Sequence, residues 1–207
     1  TRPMEIEKKS FEIIKGELGE EFVSRYPADA LPVLCRVIHT TADFSYRDTL
    51  TITEGAIGLA KEAIHRGLPI ITDTTMAASG INKTAARKFG IDVHCFIGDE
   101  DVKEAAKASG MTRSAVSAEK AARLYPECIY AVGNAPTALM RLYELIEEKK
   151  IRPALIIGVP VGFVNVVEAK ELILRTDVPA IVARGRKGGS NIAAAICNAL
   201  LYEAGGR

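Results

Sequence analysis

Apolar positions recur along this chain in two rhythms. In the first, Ala30, Val33, Leu34, Val37 and Ile38 fall at helical spacing, which predicts one stripe of a packed helix. Asp29 is placed to cap that helix, and Pro32 lies in its first turn, where proline is tolerated. Met4 to Leu18 shows the same rhythm, with Ile6, Phe11, Ile14 and Leu18 on or near one face. Gly19 breaks it, and Pro27 with Asp29 announces the next helix.

The second rhythm is short apolar runs. Leu50 to Thr53 is a brief β-branched run, and Leu68 to Thr72, Asp92 to Ile97, Cys128 to Val132, Ala154 to Gly158 and Ala180 to Ala183 read as buried strands. Helical stretches lie between them: Glu54 to His65, Lys83 to Phe89, Val102 to Ala108, Ser114 to Leu124, Pro136 to Lys149, Val166 to Leu174 and Asn191 to Glu203. This alternation predicts an α/β fold, a mainly parallel sheet with helices on both faces. No internal repeat, low-complexity tract or linker interrupts it, so a single domain over residues 1–207 is expected.

Composition narrows the classes of function. Lysine and arginine number 27 against 26 acidic residues, a net charge of +1, and this balance points to neither nucleic acid nor a membrane surface. The four cysteines (Cys35, Cys95, Cys128, Cys197) are far apart in apolar runs, as expected of free thiols in a reducing compartment. No apolar run is long enough to span a bilayer and no signal-peptide pattern opens the chain, so the expected location is the cytoplasm.

Candidate chemistry gathers where strands end, because open parallel sheets hold ligands beyond their carboxyl edges. Four such loops stand out: Asp73 to Lys83, Gly133 to Thr137, Gly158 to Phe163, and Arg184 to Asn191. The last is the most receptive to anions. Its glycines admit close approach of backbone, Ser190 could cap the following helix, and Arg184, Arg186 and Lys187 supply charge. It matches neither the Walker pattern nor the dinucleotide fingerprint, and a phosphate, a carboxylate or a tight packing turn would each suit it. Arg36 and His39, three apart, are expected as neighbours on the helix face opposite the apolar stripe, either as a solvated face or as a cation beside a titratable group. Ser10 falls in an apolar sector, where it would back-bond to a carbonyl or look into a ligand pocket. His65 reads as a helix-end residue and His94 as a core histidine, and no cluster has the spacing of a metal site.

Several of these stretches together resemble the precorrin-8X methylmutase family, called cobalt-precorrin-8 methylmutase in the anaerobic route to cobalamin. They are Ile6 to Phe11, Arg36 to Asp43, Thr72 to Met76 with Gly80-Ile81, Val132 to Leu139, Gly158 to Val164 and Gly185 to Ser190, in that order over nearly the whole chain. The resemblance implies a homodimeric α/β isomerase that moves a methyl group between adjacent carbons of ring C of a corrinoid, with no organic cofactor and no protein-bound metal. It implies His39 as proton donor and places Ser10 and Arg36 in the substrate site. Thr75, Met76, Asn134, Arg186, Lys187, Gly188, Gly189 and Ser190 are the further expected substrate contacts. The substrate's acetate and propionate groups suit arginines and helix N-termini, and its flat ring suits Met76, Ala77, Val159 and Phe163. The competing expectations are a corrinoid carrier without chemistry and, from the glycine loop alone, a nucleotide- or phosphosugar-binding enzyme.

Overall fold

The runs at 70–72, 129–132, 155–158 and 180–183 become strands buried on both faces, and that burial is why they carry no polar alternation. In this computed structural model residues 3–206 are described; positions 1, 2 and 207 of the expected domain lie outside the described residues. The chain opens with α1 (Pro3–Leu18), α2 (Glu20–Arg25), α3 (Leu31–Thr41) and α4 (Tyr46–Thr49). Next come β1 (Leu50–Ile52), α5 (Ala56–His65), β2 (Ile70–Thr72), α6 (Thr75–Gly80), α7 (Lys83–Arg87) and β3 (Val93–His94). The second half runs α8 (Glu100–Ser109), α9 (Arg113–Leu124), β4 (Ile129–Val132), α10 (Pro136–Glu147), β5 (Leu155–Gly158), α11 (Val166–Leu174), β6 (Ala180–Ala183) and α12 (Ser190–Ala204).

The strands lie in the order β1-β6-β5-β4-β2-β3, parallel except for β1, which pairs antiparallel with β6. Successive side chains feed opposite cores. Ile129, Ala131, Leu155, Ile157, Ile181 and Ala183 face α1, α3, α5, α6 and α12, whereas Cys128, Tyr130, Ile156, Ala180 and Val182 face α8 to α11. The α/β sandwich expected from the alternation is therefore present.

Four local expectations change. Asp29 does not cap α3, because the Pro27 carbonyl already takes the Ala30 and Leu31 amides at 3.0 Å each, and Ala30 is the cap position. The strand over 92–97 shrinks to Val93–His94, an edge strand paired only with β2, and the helix over 83–89 stops at Arg87. Ile6 is 53% exposed, so the buried face of α1 rests on Ile14 and Leu18, with Phe11 packed beside them.

Candidate active site

Strand order reverses between β2 and β4, the position where such sheets ordinarily gather ligands. Here the protein fills that position itself. Buried Asp73, just after β2, accepts from the amides of Gly133 (2.8 Å), Asn134 (2.9 Å) and Ala135 (2.8 Å). Its carboxylate occupies the start of α10, where an outside anion would otherwise bind. Burial pushes the Asp73 carboxyl above its usual range while the backbone donors pull it back. The Asn134 amide is thus spent within the protein, and only its exposed side chain is left for a ligand.

The glycine loop beyond β6 is packed from behind and open in front. A Cβ on Gly188 would lie 2.1 Å from the Val159 oxygen, so the close approach needs glycine there. The Gly189 amide donates to the Val159 carbonyl at 2.8 Å. Ser190 is not the helix cap: Gly189 holds that position, and the Ser190 hydroxyl lies 2.7 Å from that of Thr74. Thr74 in turn caps α6 by accepting from the Ala77 amide at 3.1 Å, so the starts of α6 and α12 are tied together. The first intrahelical bonds of α12 run from Ile192 and Ala193 to the Gly189 carbonyl, leaving the Ser190 and Asn191 amides ahead of them.

The three cations of this loop part company. Arg184 is forked onto Glu171 at 2.8 Å twice. Lys187 reaches Asp43 at 2.6 Å and Ser45 at 3.0 Å, and its hydrogen bond is the main cause that holds the Asp43 carboxyl down at about 2. Arg186 lies with its guanidinium carbon 5.5 Å from the centre of the Phe163 ring and has no carboxylate partner among the described residues.

On α3, the expectation of Arg36 and His39 together on an open face fails for the arginine. Helices α1 and α12 both pack on α3 and cover that side. Arg36 is 13% exposed, forked onto Glu7 at 3.0 Å twice, and lies over the rings of Phe11 and Tyr202. His39 stays exposed, edge-on to Phe11 at 5.6 Å. Ser10 back-bonds to the Ile6 carbonyl at 2.9 Å, next to that phenylalanine. Around Arg36 and His39 opens a cleft of about 300 Å³, closed by Thr40, Gly80 and, from α12, Asn191, Ala194, Ala195, Asn198 and Tyr202. Thr75 and Met76 stand exposed at the start of α6, Met76 at 69%. A wider groove of about 1080 Å³ lies where loops enter β4, β5 and β6, but it contains none of the expected site residues.

Sequence reasoning gave no site role to Glu7, Asp73, Asn191, Asn198, Tyr202 or Lys170. The three α12 residues had a signal, since 191, 198 and 202 share one face of an otherwise apolar helix. Asn198 accepts the Asn82 amide at 2.7 Å and donates to the Gly80 carbonyl at 2.9 Å, fixing the cleft wall. His65 and His94 pack against aromatic rings, and no group of three or more potential ligands could hold a metal among the described residues.

The same chain matches known proteins over nearly its full length. The family model of precorrin-8X methylmutase matches residues 5–203. The cobalt-precorrin-8 methylmutase of Leptospira interrogans is 45% identical, with 95% of this chain and 91% of that protein covered. That of Salmonella typhimurium is 43% identical, covering 98% and 96%. The solved structure of precorrin-8X methylmutase from Thermus thermophilus superimposes with a TM-score of 0.87 at 37% identity, covering 97% and 98%. With this agreement of sequence and fold, the chain belongs to the precorrin-8X methylmutase family.

Proposed function

We propose that this chain is the isomerase of cobalamin biosynthesis that moves a methyl group between adjacent carbons of ring C of precorrin-8X or cobalt-precorrin-8. The observation that carries the reading is the exposed His39 at the mouth of a cleft in a chain of this family. His39 donates a proton or hydrogen bond to a ring nitrogen, draining electron density from the π system and favouring the rearranged skeleton. Arg36, already forked onto Glu7, adds fixed charge beside the histidine. Substrate carboxylates fall to Arg186 and the leading amides of α12. The ring lies against Met76, Val161 and Phe163, apolar side chains left 69%, 46% and 80% exposed. Any cobalt arrives held by the macrocycle, as part of the substrate. Incubation with precorrin-8X or its cobalt form, followed by visible spectroscopy, should show conversion to the rearranged corrinoid; an unchanged spectrum with tight binding would leave a carrier.

A second copy of the chain completes the site. A cleft of about 300 Å³ is at the lower limit for ligand pockets and small for a macrocycle, while the apolar side chains of Met76, Val161 and Phe163 stand uncovered. A two-fold dimer would supply the missing wall. Sedimentation should show a dimer, and a monomer that binds the corrinoid tightly would rule the shared site out.

A further inference from the structure

Lys170, on α11, is a lysine with no exposed surface, a placement lysines almost never take without a partner. Its Nζ donates to the carbonyls of Gly185 at 2.7 Å and Lys187 at 2.9 Å, and burial lowers its pKa to about 8. Holding an ammonium there costs desolvation that an apolar side chain of similar length would avoid. The choice of residue follows from what it binds. Gly185 and Lys187 flank Arg186, whose own carbonyl accepts from the Gly162 amide at 3.1 Å. Three successive carbonyls of the loop are thereby held by donors of the protein. A carbonyl dipole aimed at an anion repels it, so a loop that receives carboxylates must keep its oxygens occupied elsewhere. Lys170 withdraws two of the three.

We propose that Lys170 is a positioning residue for substrate carboxylates, holding the 185–187 backbone so that Arg186 and the leading amides of α12 can receive them. This rests on the carboxylate reading of the loop given above. Lys170 acts through the loop and touches no reacting atom.

The test compares Lys170→Met, Lys170→Gln, Arg186→Ala and the Lys170→Met/Arg186→Ala double variant in steady-state turnover of cobalt-precorrin-8, each well below its own melting temperature. Lys170→Met should raise KM about tenfold while kcat falls less than about threefold, the split of lost binding rather than lost chemistry. Lys170→Gln keeps an uncharged N–H donor group on a shorter stem and should fall between. The double variant should be no more than about twofold worse than the poorer single, because both remove one shared function. Three results overturn the proposal while the loop reading stands: unmoved KM in Lys170→Met when Arg186→Ala raises it, fully additive losses, or failure of both Lys170 variants to fold, which would make it a residue of the fold alone. An unmoved KM in Arg186→Ala as well would instead sink the carboxylate reading itself.

Discussion

Two helix starts in this molecule look alike in sequence and are built to opposite ends. The turn before α10 and the loop before α12 each follow a parallel strand, and both carry small residues and an asparagine. Behind the first lies a buried carboxylate, Asp73, whose oxygens take the amides of Gly133, Asn134 and Ala135. Behind the second lies a buried ammonium, Lys170, which takes the carbonyls of Gly185 and Lys187. The internal anion closes one helix start, and the internal cation clears oxygens from the other. On the proposed reading of the α12 loop, receptiveness to a ligand follows the sign of the side chain packed beneath it, and glycine content alone does not reveal it.

The comparison first divides chemistry from binding. His39 stands by the α12 side, so His39→Ala should lower the methyl shift by roughly two to four orders of magnitude, as loss of a general acid does. The fold should persist, since the exposed ring leaves no core cavity, and product affinity should change little. Near-normal turnover would leave the shape of the cleft as the sole catalyst. His39→Asn, which can hydrogen-bond but not protonate, measures how much proton transfer is required.

Opening the closed start comes next. Asp73→Ala should cost about 3 kcal/mol or more in urea unfolding, because buried amides lose a charged acceptor. Formate, a small carboxylate, should recover part of that loss in the variant and do little for the original protein. A variant as stable as the original would mean that Asp73 does not hold the α10 turn.

Affinity at the open start should respond less. Arg186→Ala should weaken corrinoid binding by about tenfold at low salt and Lys187→Ala by only a few-fold, with both losses shrinking as salt rises. The order follows from Lys187 being spent on Asp43. Equal losses in equilibrium titrations would contradict it.

The smallest effect is the titration of Asp43. Its folded value of about 2 lies below the ordinary 3.8, so this contact stabilises the fold above the ordinary value and is lost as pH falls toward 2. Carboxyl NMR should find the low midpoint in the original protein and one nearer 3.8 in Lys187→Met. An unmoved midpoint would assign the shift to Ser45 alone.

The sheet was legible because runs such as Leu155 to Gly158 are buried on both faces, which leaves an unbroken apolar string. The edge strand was overextended, since His94 and Cys95 sit half-buried where pairing ends. The Asp29 cap was misread because a backbone carbonyl, Pro27, can take the same amides and has no side-chain signature. His39 stood out through its family motif, whereas Arg36 was placed on the wrong kind of surface. Its partner Glu7 is 29 positions away on another helix, beyond any local rhythm. Lys170 was hidden for the same reason: its helix pattern predicts a position, not the carbonyls of a loop beyond the next strand.

Helix α12 has a consequence for how the molecule comes into being. It packs on α3, α5 and α6, elements from the first half of the chain, and β1 can join the sheet only once β6 exists. During synthesis the early helices therefore emerge long before their main partner, with apolar faces waiting for it. One wall of the His39 cleft is α12 itself, so nascent chains carry the histidine but no cleft around it. Competence to act on a corrinoid arrives last, together with the completed core.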